Sequence, residues 1–130
     1  MTRITGTTDA SSPGPGPTIM AADTLQGDRV LNEEGDELGK IVHIMLDVPR
    51  GRIAYAVLSR GGVMGIGDKL LAIPWNALRL DTDRHCFVLD VDSHLLDEVP
   101  GFDKDHWPAM ADPDWAARLH DHFGKPAYWA

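Results

Sequence analysis

From Asp28 to Val91 the chain alternates short apolar runs with turn residues, and the period of the apolar positions is mostly two. "RVLN" gives way to "EEGDELG", where glycines mark tight turns. "KIVHIMLDV" then sets Val42, Ile44, Leu46 and Val48 on one side of an extended run. Ile41, His43, Met45 and Asp47 fall on the other, which is only partly polar. After the turn "PRGR", the run "IAYAVLS" is apolar on both faces, the mark of a central strand. "KLLAI" predicts a further strand, "PWNAL" a helical turn opened by Pro74, and "RLDTDRHCFVLDV" two strands around Asp81 to Asp83. Five or six short strands at this spacing predict a small sandwich or barrel.

The period changes near the end. "SHLLDEV" predicts a short helix capped by Ser93. "DPDWAARLHDHFG" has Asp112 as cap, Pro113 at the first position and Gly124 as stop. Trp115, Leu119 and Phe123 recur every four residues as an apolar stripe, for the chain's own barrel or for a partner. Tyr128 and Trp129 close the sequence, and such aromatics are expected to dock. The organisation read from the pattern is a disordered tail over 1–21, a β domain over 22–93 and an extension over 94–130 with a helix near 112–123. The tail is Thr, Ser, Gly and Pro, too poor in large apolar groups to offset its ordering entropy.

Composition narrows the functional classes. The 130 residues are 43% hydrophobic and 25% charged, ordinary for one globular domain. A net charge of −8, with the Lys and Arg scattered, disfavours direct binding to a phosphate backbone. Asp81 to Asp105 is acid-rich, read first as a solvated face and second as a cation or basic-partner site. One cysteine, Cys86, excludes an intrachain disulfide and fits a reducing compartment. No apolar leader or membrane-length run is present, so the expected place is the cytoplasm.

"GGVMGIGDKLLAIPWNAL" invites a phosphate-loop reading, which fails on its residues. Gly62 and Gly67 have the right gap, but Asp68 stands where the lysine belongs and Leu70 where a hydroxyl is due. The dinucleotide fingerprint begins at Gly65 and Gly67 and meets Leu70 in place of its third glycine. A strand follows, not the helix whose N-terminus would hold the anion. The glycines are a bend, and Val63, Met64 and Ile66 either fold back over the core or face a partner.

The order of "GDRVLNEEGDELGKIVHIMLDVPRGRIAYAVLSRGGVMGIGDKLLAIPWNALRL" and "HCFVLDV" resembles the PRC-barrel family over about Thr24 to Val91. The resemblance implies a mainly β fold: a small, strongly bent barrel of about six strands, here with a C-terminal helix. It implies an interaction module without catalytic residues. Family members include the cytoplasmic part of the photosynthetic reaction-centre H subunit, a ribosome maturation factor and small stand-alone bacterial proteins. Neither the H subunit's membrane span nor the factor's additional N-terminal domain is read in these residues, so neither of those two roles is the one expected.

Other chemistry is thinly supported. His120 and His122, two apart on a helix, point about 200° apart and cannot share an ion. Both are explained by exposure at a helix C-terminus. "LSRGG" around Ser59 is not a nucleophile elbow, and Cys86 reads as a structural thiol. Trp75 reads as a barrel-closing aromatic. Trp107, Trp115 and Trp129 read as packing, since a nucleic-acid stacking surface would carry more basic residues. The reading is thus a non-enzymatic protein-binding module without cofactor or metal, forming a homodimer and binding a protein partner. Its candidate interface is Val63, Met64, Ile66, Trp115, Leu119, Phe123, Tyr128 and Trp129. The alternatives are a ribosome-assembly or RNA-metabolism factor that binds a basic ribosomal protein, and a metal-dependent hydrolase or other enzyme.

Overall fold

A computed structural model describes residues 19–61, 69–81 and 83–129. Among them a short helix α1 (Ala22–Leu25) leads into β1 (Arg29–Leu31), β2 (Glu37–Asp47), β3 (Arg52–Arg60) and β4 (Lys69–Pro74). A 3-10 turn (Trp75–Ala77) then separates β4 from β5 (Leu78–Asp81) and β6 (Cys86–Leu89), and two helices follow, α2 (Ser93–Glu98) and α3 (Pro113–His122). The strands form one six-stranded sheet in the order β4-β3-β2-β1-β6-β5. The pairs are antiparallel except β1 with β6, where Val30 and Leu31 lie beside Phe87 and Val88 in parallel. This mixed sheet curls strongly into a half-barrel, as the sequence predicts.

The curl is built into the β2–β3 pair. Its register shifts between Ile41 and His43, which leaves Val42 as an extra residue in β2, and again between Met45 and Leu46, which leaves Ala54 as an extra residue in β3. Each bulge bends its strand and exchanges the faces of the pleat there. The strict two-residue period read from the sequence therefore breaks. Ile41 is buried, Ile44 and Met45 both pack against the core, and Leu46 and Val48 are turned outward. The sheet side carrying Leu46 and Val48 is not the core side.

β3 is central, as its two apolar faces require: Ala54 through Leu58 are all buried. Around it a single core gathers Val30, Ile41, Leu58, Leu71, Ile73 and Phe87. Burying each of the larger of these side chains contributes about 1.5–3 kcal/mol. Cys86 lies wholly inside as a free thiol.

The extension completes the core. Leu96, Val99, Ala116, Leu119 and Phe123 are buried with the sheet residues, so α3 lays its stripe on its own barrel. Phe102 exchanges two backbone hydrogen bonds with Leu70, each 2.9 Å, and covers the outer edge of β4. The caps follow the sequence with one change. Asp112 accepts from the Asp114 amide at the start of α3, and Gly124 stands just past its end. At α2 the cap is Asp92, which accepts from the His94 amide, and Ser93 is already helical. Of the tail read over 1–21, the described part begins at Ile19, and the rest lies outside the described residues.

Gly39 is the point of closest approach between β2 and β3. Its φ is +158°, and a Cβ there would meet the Ser59 carbonyl oxygen and stand 2.9 Å from Leu58 Cδ1. Gly39→Ala is expected to lower unfolding stability by about 2–4 kcal/mol, read by urea denaturation. A change under about 0.5 kcal/mol would mean that β2 can slide away from β3 without loss.

Candidate functional site

The β2–β3 hairpin and the extension meet around Asp47. The carboxylate accepts a hydrogen bond of 2.5 Å from the Tyr128 hydroxyl and another of 2.9 Å from Arg50 Nη1. It also accepts from the Arg50 amide at 3.2 Å, closing the hairpin turn. Its side chain is only 8% exposed. The Tyr128 hydrogen bond, then the Arg50 guanidinium, hold this carboxyl below its ordinary 3.8. Burial, then the neighbouring Asp47, push the Tyr128 phenol up, so it remains the donor. On the outer side Arg52 stacks over the Tyr128 ring, 5.5 Å from its centroid. Asn76 donates to the Pro126 carbonyl at 2.9 Å and fixes the same tail from the other side. The terminal aromatics dock, as their place in the sequence predicts.

Beneath Tyr128 lies Tyr55 of β3, 2% exposed. Its ring meets Trp115 edge-on at 5.4 Å, His120 at 5.7 Å and Tyr128 edge-on at 6.1 Å. Trp129 completes the group against Tyr128 at 4.9 Å and His120 at 5.5 Å. His120 is 2% exposed, which corrects the expectation of an exposed histidine at the helix end. Ala116, Leu119, His120 and Phe123 stand at i, i+3, i+4 and i+7, so His120 shares the single buried face of α3 with the apolar residues. His120 Nδ1 lies 2.7 Å from the Ala116 carbonyl, to which an N–H donates. Two buried polar atoms have no protein partner here, the Tyr55 hydroxyl and His120 Nε2. Burial, then Tyr128 and Asp47, push the Tyr55 phenol far up, so it stays an O–H.

Beside this cluster runs a groove of about 470 Å³ between the hairpin and the extension. Met45, Leu46, Val48, Ala54 and Tyr55 line it from the hairpin, and Met110, Ala116 and Trp129 from the extension. The charged side chains in its lining are Asp47 and Arg50, paired with each other.

The residues singled out from the sequence separate into three groups. Tyr128, Trp129 and Trp115 come together in the aromatic cluster, each partly buried. Leu119 and Phe123 lie in the chain's own core and are not part of its outer surface. Val63, Met64 and Ile66 lie outside the described residues. Trp107 stands apart, packed on Phe102 at 5.1 Å and His43 at 5.4 Å. What the sequence reading missed is Asp47, Tyr55 and the exposed pair Leu46 and Val48; their signal, a bulged strand, is not visible as a motif.

The acid-rich stretch resolves into local devices. Asp81 holds Arg84, Asp103 holds His106 and Asp97 lies 3.4 Å from Arg60. Among the described residues, no three of His, Cys, Asp and Glu gather where one metal ion would bind. No helix among them is long and apolar enough to cross a membrane.

A half-barrel whose open side is closed by its own extension defines a small β-barrel module. The family model for the PRC-barrel domain matches residues 17–96, and the chain belongs to that family. The PRC-barrel is in general a non-catalytic fold, often found in protein interactions. No curated protein matches the chain.

Asp47 makes the tail's attachment pH-dependent. Its folded value lies below 3.8, so the link contributes fully above that value and is lost as pH falls through the lower one. Tyr128→Phe is expected to destabilise the chain near neutrality, and the gap to the native chain is expected to close in acid below about 3.8. Urea melts followed by tryptophan fluorescence read this, and Asp81 and Asp103 are common to both proteins and cancel. A gap that persists unchanged in acid would show that the hydroxyl does not act through the carboxylate.

Proposed function

We propose that this PRC-barrel protein is a non-enzymatic binding module of the cytoplasm that pairs with a second copy of itself and presents the pair to a protein partner. The observation that carries the reading is the hairpin tip, where Leu46 is 63% and Val48 is 78% exposed. Two large aliphatic side chains two residues apart on a rigid hairpin are exposed without serving the chain's own core.

The backbone beside them supports the same reading. β1 pairs with β2 only from Glu37 to Lys40. From His43 to Asp47, β2 has a strand neighbour on one side, β3, among the described residues. An unpaired edge invites a second strand, and two identical edges pair antiparallel about a two-fold axis. That arrangement would bring Leu46 and Val48 of both copies together, with Tyr128 and Trp129 at the margin. The glycine-loop residues Val63, Met64 and Ile66 are a second proposed contact, for the partner protein.

Sedimentation velocity at tens of micromolar is expected to give a species of twice 14.2 kDa. Leu46→Asp with Val48→Asp is expected to weaken the pair at least a hundredfold while leaving thermal unfolding of the monomer within about 0.5 kcal/mol, because both positions are exposed. A native chain that stays monomeric at that concentration would overturn self-association.

A further inference from the structure

We propose that the groove between the β2–β3 hairpin and the extension is a binding site for a small, uncharged aromatic molecule carrying one hydrogen-bonding oxygen. Four observations select that chemistry, and none requires self-association, although Leu46 and Val48 line the groove's rim as well as the proposed contact between copies.

The space is of ligand size. A volume of about 470 Å³ exceeds what side-chain packing leaves by accident and falls within the range of small-molecule pockets. The lining is largely apolar and adaptable: Met45 and Met110 both contribute to it, with Ala54 and Ala116. Thioethers make favourable contacts with aromatic rings and shape themselves to irregular ones. The two alanines leave room for a flat body.

The charge is balanced. Asp47 and Arg50 are bonded to each other at 2.9 Å, and Asp47 also holds Tyr128. A charged ligand would have to break that arrangement or lie unpaired against apolar walls, which is costly. A neutral one leaves it intact.

The polar handle is Tyr55. It lines the groove, it is 2% exposed, and its hydroxyl has no partner in the protein. A buried O–H left unbonded is costly, and native proteins seldom carry one without a ligand or water to satisfy it. Burial keeps it protonated, and where the flexible side chains of the groove give way to a ligand it offers a donor to a phenolic, carbonyl or ether oxygen. The walls select the ring and Tyr55 selects the oxygen.

p-Cresol and toluene are the probes, since they share a ring and a methyl group and differ by the hydroxyl. The full chain, labelled with carbon-13 at its methionine methyls, is titrated with each. With p-cresol the Met45 and Met110 methyls are expected to shift saturably while Met20 stays still. Toluene is expected to bind the same methyls about five- to tenfold more weakly, the worth of one hydrogen bond. Tyr55→Phe is expected to erase that preference and to leave unfolding stability without ligand unchanged or raised, since no protein partner is lost. Three results would each overturn the proposal: no saturable shift at Met45 and Met110, equal binding of the two probes to the native chain, or a Tyr55→Phe chain that still prefers p-cresol. A destabilised Tyr55→Phe chain would likewise overturn it, by giving the hydroxyl a structural role.

Discussion

A half-barrel of short strands cannot cover its own open side, and the rest of this molecule follows from that. β4 and β5 end the sheet at opposite edges and do not pair with each other. The core residues of β3 and β4 would face water there without α2, α3 and the aromatic tail. The extension supplies Leu96, Val99, Leu119 and Phe123 to the same core, and Phe102 satisfies the backbone at the β4 edge. Sheet and extension are one cooperative unit in the sense that matters for stability: neither buries its apolar face alone. The family match ends at residue 96, but the packing does not.

The order of strands was legible because each is bounded by turn residues, and β3 announced its central place through two apolar faces. The C-terminal helix was legible from Asp112, Pro113 and Gly124 acting as cap, start and stop. The facing of β2 was not. A bulge at Val42 exchanges its sides, a second at Ala54 bends the partner strand, and a bulge depends on the register between strands, which no local period encodes. The candidate site was less legible for a similar reason. Asp47 and Tyr128 are 81 positions apart, and nothing near either one names the other. Trp115, Tyr128 and Trp129 were recognisable as residues that must dock; Tyr55, hidden in a strand of small and branched side chains, looked like any core tyrosine. His120 looked like a surface histidine because a helix terminus is normally exposed, and here it turns into an aromatic cluster.

Polar groups in that cluster are unevenly satisfied, and the unevenness locates function better than any single residue type. The Asp47 carboxylate has a phenol, a guanidinium and a backbone amide, a complete set. In the same cluster, the Tyr55 hydroxyl and His120 Nε2 have none. If apolar packing were all this region had to provide, phenylalanine in place of Tyr55 would fill the same space without an unpaired oxygen. Retaining the hydroxyl therefore argues for a use that folding alone does not supply.

Asp47 also joins the two surfaces on which binding is proposed. Through the Arg50 amide it closes the hairpin whose tip carries Leu46 and Val48, and through Tyr128 it holds the tail along the groove. The hairpin turn is further closed by the Gly51 amide, which donates to the Asp47 carbonyl at 2.9 Å. A molecule entering the groove presses on Met45 and on Leu46 and Val48, which line it beside the second bulge. A bulged strand yields at its bulge before its regular ladder does, because fewer backbone bonds oppose the movement. The groove and the exposed pair are thus mechanically adjacent, and a ligand that favours one setting of the hairpin must, by reciprocity of binding free energies, be favoured in turn by whatever holds the hairpin in that setting.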